Sequence, residues 1–210
     1  MRVLPFALTI FISAFLLFQV QPLISHFILP WFGGTPAGWS VALLFFQGGL
    51  LAGYGYAHLS IARLKPAVQL GVHVALLLLA AVTLPIIPPE SFKPTGDENP
   101  TLRILLLLAT SVGLPYLVLS ATGPLLQAWF ARANPGKSPY ALYALSNVGS
   151  LLALVTYPFV IEPMWGRMQQ ATNWSWLFVG FAVVCAAAAV IAYKAKTAPE
   201  AAPSAEAATP

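Results

Sequence analysis

Eight polar side chains interrupt stretches otherwise built of Leu, Val, Ala and Phe: Gln19, Gln21, Gln47, His73, Ser120, Thr122, Ser146 and Asn147. An amide or hydroxyl in such surroundings needs a hydrogen-bond partner, because leaving it unpaired in hydrocarbon costs on the order of a few kcal/mol. Two kinds of partner are open. A neighbouring helix contributes about 0.6 to 2 kcal/mol per contact; a polar solute held in a cavity shared by these residues is the functional alternative. His73 adds a titratable group, and ionisable side chains at such depth mark functional sites, although a neutral imidazole bonded to an adjacent helix accounts for it equally. A second grouping lies at the ends of the apolar stretches: His26 and Glu162, which can pair, with Trp31, Tyr157 and Trp165, a carboxylate among aromatic rings.

The elements that position these residues follow from composition. Of 210 residues, 59% are hydrophobic and 8% charged, and the mean hydropathy is +0.79, far outside soluble usage. Val3–Ala62, Pro66–Pro89, Ile104–Ala131, Ser138–Ile161 and Met168–Tyr193 hold no Asp, Glu, Lys or Arg, and each can carry a span of roughly 20 residues. The first run has room for two, with Pro30–Gly38 as the turn. Backbone groups in hydrocarbon must pair within the segment, which selects helices. The expected fold is an all-α integral membrane protein with six transmembrane helices near 4–27, 37–59, 67–87, 102–130, 139–161 and 173–193, forming one domain over 1–196.

Charge sets the expected orientation. Arg2, Arg63, Lys65, Arg132, Lys137, Lys194 and Lys196 fall on one side, Lys93, Arg103 and Arg167 on the other. An excess of Lys and Arg marks the cytoplasmic side, so both termini are expected there. The net charge of +4 then reflects topology and gives no reason to expect nucleic acid as a partner. The first helix lacks a small-x-small site, and Gln19–Pro22 interrupts the place for one, so it is expected to remain uncleaved. Cys185 reads as packing. Residues 197–210, rich in Ala, Pro, Ser and Glu, read as a disordered cytoplasmic tail. The six Trp residues fall near helix ends, as aromatic belts do, and Gly49-xxx-Gly53 and Ser146-xxx-Ser150 read as close-packing pairs.

An internal repeat organises the helices. Phe15–Ile24 can be laid against Tyr116–Leu126 with one inserted Gly, placing Gln19 on Ser120, Gln21 on Thr122 and Pro22 on Pro124. Further on, Gln47 falls on Asn147 and Gly49 on Gly149. Three helices separate the copies, so the second enters the membrane from the opposite side. Two inverted three-helix repeats are a building unit of secondary transporters, here half of a major-facilitator-like fold. No Walker loop, GxGxxG, HExxH, metal-spaced Cys or His pair, or intramembrane carboxylate pair is present. Neither catalysis nor a cofactor or metal is expected.

Several stretches together carry a family resemblance: Phe18–Ile24 (FQVQPLI), Leu29–Ala37 (LPWFGGTPA) with Trp39, Leu44–Gln47 (LFFQ) with Leu51–His58 (LAGYGYAH), Ser120–Gln127 (SATGPLLQ) with Trp129, and Tyr140–Leu152 (YALYALSNVGSLL) followed by Tyr157-Pro and Glu162-Pro. They resemble the membrane portion of bacterial spermidine-synthase-like proteins, the fused major-facilitator and spermidine synthase family. The resemblance implies a multi-pass protein of the bacterial inner membrane. In that family a Rossmann-like aminopropyltransferase domain follows the helices; this sequence ends about fifteen residues after the sixth, so the family's catalytic residues have no counterpart in it. Two functions are then expected. One is a membrane module that binds a small solute, a polyamine in the family's chemistry, or anchors a separately encoded soluble synthase-like protein. The other is a half-size transporter forming a homo-oligomer. The polyamine site would be the outer-face group His26, Trp31, Tyr157, Glu162 and Trp165.

Overall fold

A computed structural model describes residues 3–96 and 99–197, with 196 and 197 as backbone alone. Its helices are α1 (Leu4–Phe32), α2 (Pro36–Arg63), α3 (Pro66–Val82), α4 (Pro100–Ala133), α5 (Tyr140–Met164) and α6 (Arg167–Thr197). Proline opens the first turn of α2, α3 and α4, where its missing N–H costs nothing and its φ suits a helix. Thr35 caps α2 by accepting from the Gly38 N–H, and Asn99 caps α4 by accepting from Thr101 and Leu102. Gly33, at φ 63°, ends α1 in the left-handed region. α4 and α5 each contain a π-turn, Ala109–Gly113 and Tyr157–Ile161.

All six helices match expected ones, and five are long and apolar enough to cross a membrane. The third corrects its expected range of 67–87: α3 stops at Val82, and Leu84–Pro89 runs on without helix. Pro85, Pro88 and Pro89 have no N–H to continue the ladder, and a residue before proline is pushed out of the α region. The 17 residues of α3 span about 26 Å, short of a hydrocarbon core of about 30 Å. The other helices overrun one or both of their expected ends, by up to six residues. Thr197, expected in the tail, ends α6; the rest of the expected tail, with Arg2, Asp97 and Glu98, lies outside the described residues.

The helices alternate in direction. Phe6 of α1, Ala57 of α2, Phe130 of α4, Leu142 of α5 and Ala192 of α6 share one apolar cluster, at the end that carries Arg63, Lys65, Arg132 and Lys137. A larger cluster toward the opposite end gathers Ile24, Phe46, Ile86, Ile104, Trp174 and Phe178. Both ends of the described chain therefore emerge together.

α1 and α4 form the centre, with 50% and 61% of their most apolar stretches buried, against 17% for α2 and for α5. α5 and α6 lie on α1, α2 and α3 lie on α4, α1 touches α4, and α6 touches both α3 and α4. Glycines allow the close approaches. A Cβ on Gly53 would collide with the Ser120 hydroxyl and sit 2.9 Å from the Leu117 carbonyl oxygen; one on Gly149 would sit 2.7 Å from the Phe11 carbonyl oxygen.

The turns between α2 and α3 and between α5 and α6 are locked in the same way. Gln69 donates to the carbonyl oxygen of Leu64 (3.0 Å), five residues back, and of Ser60 (2.8 Å). Gln170, 101 positions later, donates to that of Trp165 (2.7 Å), again five residues back. The Gln69 carbonyl then ties its turn to α4, accepting from Trp129 Nε1 and Arg132, whereas the Gln170 carbonyl accepts from the Tyr157 hydroxyl of α5, a helix of its own turn.

Candidate functional site

Between α2 and α5, where α1 and α4 form the floor, two open chambers lie toward opposite ends of the bundle. The chamber nearer the basic end has a volume of about 300 Å³ and takes its polar lining from Ser13, Tyr54, Ser120, Tyr143, Asn147 and the Ser146/Ser150 pair. Three of its six hydroxyls are turned back to their own helices. Ser120 donates to the Tyr116 and Leu117 carbonyls at 2.8 and 3.0 Å, Ser13 to Ile10 at 3.0 Å, and Ser150 to Ser146 at 3.0 Å. These oxygens keep lone pairs for a ligand. Asn147, Tyr54 and Tyr143 make no side-chain hydrogen bond among the described residues, so a solute would find free donors there.

The other chamber, about 370 Å³, lies among Gln21, His26, Trp39, Phe46, Tyr157 and Glu162 and is mostly apolar. His26 Nε2 stands 3.5 Å from Glu162 Oε1, and the His26 and Tyr157 rings meet edge-on at 5.8 Å. Gln21 Nε2 reaches the Tyr116 hydroxyl at 3.5 Å, the outer limit of a hydrogen bond. A half-exposed carboxylate between Trp39 and Tyr157 offers charge and ring faces to a small cation. Both volumes fall at the small end of ligand pockets.

Three of the eight residues expected to share a cavity do so: Ser120, Ser146 and Asn147. Gln21 lines the other chamber, and Gln19 a separate cleft between α5 and α6. Two residues along a helix turn through roughly 200°, which separates Gln19 from Gln21 and likewise turns Thr122 away from Ser120. Thr122 is fully buried and donates to the Val118 carbonyl at 2.8 Å. Gln47 is exposed on α2, two turns before Tyr54, roughly 10 Å toward the other end. His73 sits in the core instead, with Nδ1 3.3 Å from the Tyr56 hydroxyl, Nε2 3.6 Å from Cys185 Sγ and the Trp129 ring edge-on.

His26, Tyr157 and Glu162 come together as expected of the outer group, while Trp31 and Trp165 do not join them. Trp31 lies under the Lys93 ammonium at 5.4 Å, and Trp165 lines the α5–α6 cleft. Trp39 and Gln21 take their places. Helical spacing from Asn147 would have found two of the missed ones on the basic side, since Tyr143 and Ser150 lie four before and three after it. Among the described residues no three His, Cys, Asp or Glu gather as metal ligands do. No protein-family model matches the chain, and no curated protein and no solved structure matches it.

Proposed function

We propose that this chain is a solute-binding module of a membrane transport path. The observation that carries the reading is that both chambers open on the same α2–α5 face, one toward each end of the bundle. A second copy of the chain against that face would enclose them as one path. The basic end, with Arg63, Lys65, Arg132 and Lys137, faces the cytoplasm by the excess of Lys and Arg.

The module consists of two three-helix units in opposite orientation. Supporting this are the packing of α5 and α6 on α1 and of α2 and α3 on α4, and the Gln69 and Gln170 amides that each close a turn; the contact of α6 with α4 has no counterpart of like extent between α1 and α3. Such a unit agrees with the resemblance to the membrane portion of spermidine-synthase-like proteins, and the Glu162 chamber suits the amine cation that this resemblance implies. Solute enters at Glu162 and passes to the hydroxyl-lined chamber at Asn147.

Binding of radiolabelled spermidine to the protein in lipid nanodiscs tests this reading. Replacing Glu162 by Gln keeps the shape and removes the charge, and should weaken binding about tenfold or more, the scale of a charge-assisted hydrogen bond. Equal affinity in the Glu162→Gln and parent proteins would remove the carboxylate from the site. Asn147→Leu should slow uptake into proteoliposomes while leaving equilibrium binding at Glu162 in place; unchanged uptake would separate the second chamber from the path.

A further inference from the structure

The α5–α6 cleft is separate from the two chambers and opens on another side of the bundle. Its volume is about 340 Å³, its floor is α1, and its lining is almost wholly apolar, with Trp165, Trp174, Leu177 and Val160 prominent. Three amides interrupt it, Gln19 from α1 and Gln170 and Asn173 from α6. Gln19 is 6% exposed, and its buried Nε2 has no hydrogen-bond partner. The Asn173 side chain likewise makes no hydrogen bond among the described residues. By contrast, Gln170 beside them has both ends of its amide engaged, and Trp174 Nε1 donates to the Leu16 carbonyl at 3.1 Å. Among the described residues, Gln19 thus carries the one buried side-chain amide nitrogen without a partner.

An orphaned donor in an apolar cleft costs about 1 to 3 kcal/mol unless a ligand completes it. The ligand's chemistry follows from the lining and the depth. Walls of Leu, Val and Trp want an apolar body, and Nε2 wants an acceptor oxygen. No charged side chain lines the cleft, so the ligand is neutral. Gln19 and Asn173 stand at about the same level, since Trp174 beside Asn173 donates to the Leu16 carbonyl three residues from Gln19, and Asn173 lies six residues into α6, roughly 9 Å along the axis. Phospholipid ester carbonyls stay at the interface and do not reach amides that far along the helix. A neutral ring carbonyl on an apolar tail does.

We propose that the cleft between α5 and α6 binds a prenylquinone-type ligand from the bilayer, with a ring carbonyl accepting from the Gln19 amide and the ring lying against Trp165 and Trp174. Gln19 meets one ring carbonyl, and Asn173 stands beside the ring or the first part of the tail.

Quenching of tryptophan fluorescence by decylubiquinone, with the protein in nanodiscs, tests the site. Saturable quenching is expected, with Kd raised about tenfold in Gln19→Leu, the loss of one buried hydrogen bond. Gln47→Leu makes the same chemical change on an exposed face outside the cleft and should leave Kd unchanged. Should Gln19→Leu fail to fold, Val160→Trp, at a rim position, fills the cleft and should abolish the saturable phase. Quenching that does not saturate, or saturates equally in Gln19→Leu, overturns the proposal. So does saturable, Gln19-dependent quenching by brominated-tail phosphatidylglycerol in place of the quinone, which would make the occupant a structural lipid.

Discussion

The packed and open faces of α2 and α5 place opposite demands on their residues. On the packed side of α2, Gly49 and Gly53 bring the backbone onto Tyr116, Leu117 and Ser120 of α4; on α5, Gly149 does the same over Phe11 of α1. On the open side the stripe Gln47, Leu51, Tyr54, His58 runs along α2, and Tyr140, Tyr143, Asn147, Leu151 along α5, all exposed. Small residues fix helix separation where helices meet, while the polar residues stand where nothing in the chain meets them. The bundle's own stability thus depends on one face, and the proposed solute path on the other. Amides and phenols along an open membrane face carry a cost that a lipid-facing helix avoids, which is why a function is sought there.

The largest effect should come from glycine. Gly53→Val places a branched side chain against the Ser120 hydroxyl and the rigid Leu117 carbonyl, so α2 and α4 must separate, at a cost of roughly 3 kcal/mol. Gly48, one residue before Gly49, has nothing within 4 Å of an added Cβ, and Gly48→Ala should be neutral or stabilise by up to about 1 kcal/mol through helix propensity. Thermal unfolding in detergent, followed by tryptophan fluorescence, checks both. Equal Tm values for the two variants would break the distinction between the faces.

Two glutamines repeat the contrast with a polar side chain. Gln69, 2% exposed, donates to Ser60 and Leu64 and accepts from Trp129 and Arg132. Replacing it by Leu strands all of these partners and should cost about 2 kcal/mol. Gln47→Leu, on the open face, should stay within about 0.5 kcal/mol. If Gln47→Leu instead matched Gln69→Leu, the open face of α2 would be covered in the assembled protein, and its unfolding would depend on protein concentration.

How much of this was legible in the sequence depends on whether it is set along the chain or across it. Charge-free runs located all six helices, because the solvent demands long apolar segments. The end of α3 was missed because Leu84–Pro89 is as apolar as a helix, and Pro85 weighed less than hydropathy. Across the chain, Ser146 and Asn147 could be placed with Ser120, but Gln19 and Gln21 were joined to them through the repeat alignment that sets them on Ser120 and Thr122. Helical rotation sends those two to different clefts. His73 appeared a site residue for its chemistry; its neighbours Tyr56 and Cys185, 17 and 112 positions away, became visible only when the helices were packed. Trp39 and Tyr54 had no polar periodicity strong enough to announce them.

The smallest effect belongs to neither face. Glu90, in the solvent-exposed segment after α3, accepts from Lys93 Nζ at 2.8 Å, and that hydrogen bond, reinforced by the ammonium charge, holds its carboxyl below the usual carboxylate range. A folded-state pKa lower than the unfolded one stabilises above the unfolded value, and the contribution disappears as pH falls through the folded value. Its window therefore lies below about pH 4. Both side chains are open to water and salt, so the pair adds little even when fully charged. Lys93 keeps a second hold over the Trp31 ring, which does not depend on Glu90. Glu90→Gln should leave Tm at pH 7 within about 1 °C of the parent, and whatever difference exists should shrink on acidification. A larger drop at pH 7 that vanished in high salt would show that the segment after α3 helps to hold the ends of α1 and α4, and would extend the packed face beyond the helices.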